Sequence, residues 1–315
     1  MAGKLLVISS RTEDVIFAEE LGREIKHACV VTSDIKTIEA LLVDEPQSFI
    51  FCEADSPKQF AKIAKAIAGR IPRYRVFIVT DNPLNEYPDL FTHAVFGHHI
   101  IRRYNPPADQ VIGQIMQATL AARTANIEQL FPARPAPKVQ KIELTKSSQK
   151  TAAVKAVQNF LIKMGTIERM ATKIAQAADE LLLNAIFDAP VQKDGTRYRQ
   201  IGSRDMDFVI DGGGITVSFA EGDHYAAISV TDNFGSLAKE EIMFALKKDF
   251  QDRAYVIRPG SGGAGLGLNS IVQSGLSVIL LTRPQLRTEA VILFPKARTY
   301  KEFKSSFSFF GVIGV

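Results

Sequence analysis

Residues 132–137 read Pro-Ala-Arg-Pro-Ala-Pro, three prolines in six positions with no apolar period. Neither a helix interior nor a central strand can run through such a segment. The chain must therefore fold as two patterned stretches on either side of a break, and at 315 residues it has the length of about two domains. A 46% hydrophobic and 23% charged composition excludes wholesale disorder. A formal net charge of +4 is too small to argue for nucleic acid. Two cysteines, Cys29 and Cys52, make no disulfide framework and point to a reducing, cytoplasmic setting. The opening MAGKLLVISSRTED has too short an apolar run for a signal-peptide core, and no run of 18 apolar residues predicts a membrane span.

Before the break, apolar runs fit for buried strands (KLLVIS, ACVVTS, SFIFCEAD, RVFIVTDN and the AVF and HII segments) alternate with segments of helical period. This alternation predicts a parallel sheet covered on both faces. After the break come two consecutive helices, divided at Gly165, and then strand-like segments DFVIDGG, GITVSFAEG and YAAISVTDN. The turn signals DGGG and EGDH between them predict antiparallel pairing. A short helix, LAKEEIMFALKK, a glycine-rich stretch opening another helix, and strands SVILLTR and EAVILFP complete a two-layer α+β sandwich. No internal repeat is present.

Three features after the break carry chemistry. Glu180 and Asn184 lie four apart, on one face of a helix with a broad apolar stripe. A carboxylate and an amide there suit Mg2+, which takes oxygen ligands and keeps several waters; a solvated helix edge is the plainer alternative. Asp232, in VTDNFG, ends a strand and could accept a hydrogen bond from a ligand amino group, with Gly235 allowing a sharp turn; an ordinary Asp-Asn turn would look the same. Gly260–Leu268 holds five glycines within its first eight residues, which suits backbone N–H groups approaching an anion at a helix N-terminus. It is neither a Walker loop nor a dinucleotide fingerprint.

The order Glu180…Asn184, Asp232…Gly235, Gly263-Ala-Gly-Leu-Gly-Leu268 resembles the ATP-binding domain of the GHKL superfamily, shared by gyrase, histidine kinases and MutL. The resemblance covers residues 145–298 and implies an α+β sandwich of the Bergerat type. It implies that Glu180 is a catalytic base, that Asn184 holds Mg2+, and that Asp232 and Gly235 bind the adenine end of ATP. Gly263, Gly265, Leu266 and Gly267 would wrap the phosphates. The chain departs from the pattern at Asn233 and Ser236, which replace glycines, and at Asp188, where a basic residue or histidine is usual. Lys247, Lys248 and Arg253 could offset that acid.

None of the histidines (His27, His93, His98, His99 and His224) lies in 138–187, so no phosphoacceptor hairpin precedes the domain. The helix pair instead is similar to the anti-sigma-factor serine kinases, whose partners are a sigma factor and an antagonist. Residues 1–125 resemble a response-regulator receiver lacking its chemistry: Ser9-Ser10 replace the acidic pair, Glu53 stands where the phosphorylated Asp should be, and Thr80 matches a hydroxyl position. Arg102 or Arg103 is nearest to the expected lysine. This implies a doubly wound, non-phosphorylatable pseudo-receiver that binds proteins.

The expectation is thus a bacterial-type signalling protein with a pseudo-receiver at 1–125, a linker at 126–144, an ATP-binding domain at 145–298 and an apolar tail at 299–315. It would phosphorylate a regulatory protein partner, or bind one in a nucleotide-dependent way. The alternatives are a pseudokinase scaffold, or a histidine kinase acting on another chain. No nucleic-acid partner is expected. The tail (Phe303, Phe307, Phe309, Phe310, Val312, Ile313, Val315) packs on the chain's own surface as an extra strand or helix, docks a partner or a second subunit in a homodimer, or attaches to a membrane. Phe96–Arg103 reads as a loop-edge cluster or, less simply, a metal or phosphate site.

Overall fold

The computed structural model describes residues 3–44, 48–105, 108–120, 126–131, 137–190, 207–210, 214–237, 242, 246 and 264–314. Its N-terminal part opens with β1 (Lys4–Ile8), α1 (Thr12–Ile25), β2 (Ala28–Val31), α2 (Ile35–Asp44), β3 (Phe49–Glu53) and α3 (Pro57–Ile67). It closes with β4 (Val76–Thr80), β5 (His98–Ile101) and α4 (Ala108–Leu120). The strands are parallel in the order β2-β1-β3-β4-β5, as the apolar runs require of a sheet covered on both faces. Local signals agree with the elements they bound. Ser56 caps α3 by accepting from the Gln59 amide, and Pro57 opens it where its missing N–H is not needed.

The second part contains β6 (Lys138–Leu144), α5 (Lys150–Lys163), α6 (Glu168–Leu183), β7 (Ile215–Glu221), β8 (Tyr225–Asp232), α7 (Ala264–Gln273), β9 (Ser277–Arg283) and β10 (Arg287–Pro295). Its strands β6, β7, β8, β10 and β9 pair antiparallel in that order. Residues 138–144, expected as linker, are its edge strand. KVQKIEL alternates apolar and polar residues, and its period of two outweighs the nearby prolines. The strand expected over DFVIDGG reduces, in its described part, to one bridge between Lys146 and Val209. Of the expected helix LAKEEIMFALKK, Ile242 and Leu246 are described as helical residues and are buried.

The main difference from expectation is the tail. Tyr300–Ser305 is a short helix, α8, and Phe309–Gly314 is a strand, β11. β11 is not appended to the surface. It pairs antiparallel with β5 (Phe309 with Ile100, Gly311 with His98) and parallel with β9 (Phe310 with Val278, Gly314 with Thr282). The result is one mixed sheet of eleven strands, β2-β1-β3-β4-β5-β11-β9-β10-β8-β7-β6. Two domains with separate sheets were expected, whereas one α/β sheet runs through both. Phe303, Phe307, Phe309, Phe310, Val312 and Ile313 are all at most 3% exposed, each worth about 1.5–3 kcal/mol of burial. Val315 lies outside the described residues. Two hydrophobic cores, one per face, each draw side chains from both parts of the chain.

β11 runs parallel to β8 and antiparallel to β5. The ends of β1, β3, β4 and β5 therefore meet one edge of the sheet, and the end of β8 meets the opposite edge. Among the described residues no helix is long and apolar enough to cross a membrane.

Candidate functional site

Asp232 is the last residue of β8, flanked by Ile215 of β7 and Thr288 of β10. It is 5% exposed. Its carboxylate accepts from the Phe234 amide at 3.0 Å and the Gly235 amide at 3.1 Å. Burial raises its carboxyl above the ordinary range, and these amide donors oppose the rise. Gly235 has φ +57°, and a Cβ there would meet the Arg283 carbonyl at 2.2 Å, so only glycine fits this turn. The Gly235 carbonyl in turn accepts from the Gln285 amide of the β9–β10 turn. Ser236 donates its hydroxyl to the Ala189 carbonyl at 2.7 Å. Ser236 thus ties the Asp232 turn to the end of the α6 segment.

α6 buries Met170, Ile174, Ala177, Ala178, Leu181 and Leu182 against the sheet. Beyond Leu183 it widens into a single π-helical turn, Asn184–Asp188, closed by the Ala189 amide donating to the Asn184 carbonyl at 2.8 Å. Such turns cluster at functional sites. Here the turn brings Asn184 and Asp188 to the same cleft as Asp232. The walls of that cleft include Leu181, Ala185, Val230, Leu237, Leu268 and Leu280. Asp188 is buried there.

Glu180 does not line this cleft. It faces a more polar groove between α6 and α7, with Lys173, Gln176, Ser270 and Gln273. Gly267 sits against it, and a Cβ on Gly267 would lie 2.5 Å from Glu180 Oε2. The structure thus brings Asn184 and Asp232 together, with Gly235 under Asp232, and sets Gly267 beside Glu180. Gly265 and Leu266 fall in the first turn of α7; Gly263, Lys247, Lys248 and Arg253 lie outside the described residues.

The edge at which β1, β3, β4 and β5 end is built differently. Ser9 Oγ donates to Asp14 Oδ2 at 2.6 Å, while the Ser10 amide and hydroxyl donate to Glu53 at 2.9 and 3.0 Å. Ser9 Oγ also lies 3.1 Å from Glu53, so the two serines hold Asp14 and Glu53 between them. Asp14, Asp55 and Asp81, not singled out from the sequence, converge there on Arg102. Its guanidinium donates to Asp14 at 2.8 and 3.1 Å, pairs with Asp55 at 2.8 Å and contacts Asp81. Burial lowers the tendency of Arg102 to hold its proton, but the bonds to Asp14 and Asp55 more than reverse this. Arg11 adds a second cation, 2.7 Å from Asp81. Thr80 is turned inward, its Oγ1 2.7 Å from His99 Nε2 and donating to the Asn82 carbonyl. His98 and His99 are buried in β5, within the sheet and not on a loop edge. Among the described residues no group of histidine, cysteine and acid side chains is arranged to hold a metal ion.

No protein-family model matches the chain, and no curated protein matches it significantly.

Proposed function

We propose that the C-terminal cleft binds an adenine nucleotide with Mg2+, and that the protein uses it to phosphorylate, or to bind in a nucleotide-dependent way, a regulatory protein partner. The observation that carries this reading is the convergence of Asn184 and Asp232 on one apolar-walled cleft from elements almost fifty residues apart in sequence. A planar base fits between Leu181, Val230, Leu268 and Leu280, and the Asp232 carboxylate offers a charged acceptor to its amino group. The N–H groups of Phe234 and Gly235 hold that carboxylate in place, so no reorganisation is needed on binding. The Asn184 amide would supply one oxygen to Mg2+; an octahedral ion takes its remaining ligands from phosphate and water. The ion would neutralise phosphate charge that Asp188 would otherwise repel.

In this reading Glu180 Oε2 accepts the proton of a partner's serine or threonine hydroxyl. Gly267 keeps the backbone of α7 against that carboxylate, and Lys173 faces the same groove. The likeness to GHKL domains and to anti-sigma-factor serine kinases supports the assignment. The receiver-like part acts as a protein-binding module without phosphoryl chemistry of its own.

A second reading, a pseudokinase scaffold in which nucleotide binding sets conformation without turnover, is favoured by two observations. Asp188 is buried inside the cleft, and Glu180 faces a separate groove. The two readings part in one experiment. The purified chain is titrated calorimetrically with ATP and Mg2+, then incubated with labelled ATP and partner captured from the source cell. Binding with transfer supports the kinase; binding without transfer supports the scaffold; absence of binding removes both.

A further inference from the structure

The segment that follows β5 has two sides. On one side it grips the C-terminal segment: the Ile101 amide donates to the Ser308 carbonyl at 3.1 Å, Arg103 Nη1 to the Lys304 carbonyl at 2.6 Å, and Asn105 Nδ2 to the Ser305 carbonyl at 2.8 Å. Two of these acceptors are the last carbonyls of α8, which have no partner within their own helix. On the other side it grips the acidic cluster. Arg102 is bonded to Asp14, Asp55 and Asp81. Tyr104 donates its hydroxyl to Asp14 at 2.5 Å and stacks on Phe17 at 3.9 Å between ring centres. Arg103 and Asn105 thus reach the C-terminal segment while Arg102 and Tyr104 reach the acidic cluster, the chain bending at Arg102 where the Arg103 amide donates to the Ile101 carbonyl.

The seam that this segment spans is the weaker of the two around β11. β11 matches three residues of β5 but five of β9. Aromatic contacts of Phe309 with Phe77 and His98, and of Phe310 with Phe96, also cross it. Those contacts are non-directional, whereas the strap's bonds fix position.

We propose that residues 101–105 are a latch: Arg102, seated among Asp14, Asp55 and Asp81, holds the β5–β11 seam closed and so joins the receiver-like part to the C-terminal part. Arg102 thereby serves as the built-in cation of the cluster, and its seating is coupled to that of α8 and β11. Because a coupling free energy is reciprocal, loosening one side loosens the other. This inference does not depend on nucleotide binding.

Hydrogen–deuterium exchange on the full chain tests it, following peptides from 97–105 and 306–314 and using β1 and β3 as internal reference. With Arg102→Gln, exchange at the seam should rise on the order of ten-fold or more, the loss of charge-assisted bonds being felt as local opening, and by a clearly larger factor than at β1 and β3, which share only the loss of global stability. Tyr104→Phe keeps the stacked ring and removes one bond to Asp14; it should raise seam exchange by a smaller factor and decides the matter if Arg102→Gln does not fold. Arg11→Gln alters the same cluster outside the strap and should leave the seam unchanged. An unchanged seam in both strap variants would overturn the latch. So would an equal rise in β1, β3 and the seam, or equal loosening by Arg11→Gln.

Discussion

The two edges of the sheet carry acidic residues in opposite circumstances. At the N-terminal edge Asp14, Asp55 and Asp81 surround a guanidinium that the chain itself provides. At the C-terminal edge Asp188 and Asp232 are buried beside open space, and among the described residues no cation pairs with Asp232. A cluster that carries its own guanidinium ties together the elements that supply its acids and acts as a joint. A buried carboxylate held by backbone amides at the wall of an apolar cleft keeps its affinity for a donor from outside.

The sharpest way to break this contrast is to remove the built-in cation. Arg102 is 4% exposed and Asp14 fully buried, so Arg102→Ala should destabilise the protein by about 3–5 kcal/mol, the usual effect of stranding buried charge. Denaturant melts measure it, and a loss near zero would mean that water, not Arg102, neutralises the acids. The matching change at the other edge should act on the ligand and not on the fold. Asp232→Asn keeps an acceptor for the Phe234 and Gly235 amides but removes the charge, and should weaken adenine nucleotide binding by about 1.5–3 kcal/mol. The sign for stability is the reverse. Burial raises the Asp232 carboxyl, so the stability linked to its protonated form is present below the unfolded value and lost as pH rises through the folded one. At neutral pH Asp232→Asn should therefore melt no lower than wild type, and its melting should lack that part of the pH dependence.

Smaller effects separate the roles within the C-terminal edge. Asn184→Ala should reduce Mg2+-dependent nucleotide affinity by roughly ten-fold, about the weight of one ligand or hydrogen bond. Glu180→Ala should leave binding near wild type and remove any phosphoryl transfer. Equal binding losses in both would merge the two sites that the geometry separates. Within the N-terminal part His99 is buried and pushed down to about 3. Its folded value lies below its unfolded one, so the stability is complete above about 6.5 and lost as pH falls toward the folded value, by up to about 1.4 kcal/mol per pH unit. His99→Gln should flatten that limb of the melting profile. The smallest expected effect is none: acetyl phosphate with Mg2+ should add no phosphoryl group to residues 1–125, which intact mass would show.

Much of this contrast could be read from the sequence, and what could not has physical causes. KLLVI, FIFCE and VFIVT are apolar runs that form strands wherever two faces are covered, and they do. The placement of Asp232 and Asn184 was legible, because a carboxylate ending a strand and an amide on a helix stripe are local patterns. The meeting of the N-terminal acids was not, because Asp14 lies in the first turn of α1 while Asp55 and Asp81 follow β3 and β4, and they meet only through the strand order. The tail reads as apolar, but nothing in FSFFGVIG names a slot between strands that lie about 30 and 210 residues away. KVQKIEL was masked by the prolines before it.

One measurement bears most directly on the account: calorimetric titration of the full chain with ATP and Mg2+, run on wild type, Asp232→Asn and Arg11→Gln. A single saturable site should appear in wild type, persist in Arg11→Gln and weaken by roughly ten-fold or more in Asp232→Asn. No binding heat in wild type, or binding that survives Asp232→Asn and disappears in Arg11→Gln, would contradict the assignment of the C-terminal edge as receptor and the N-terminal edge as joint.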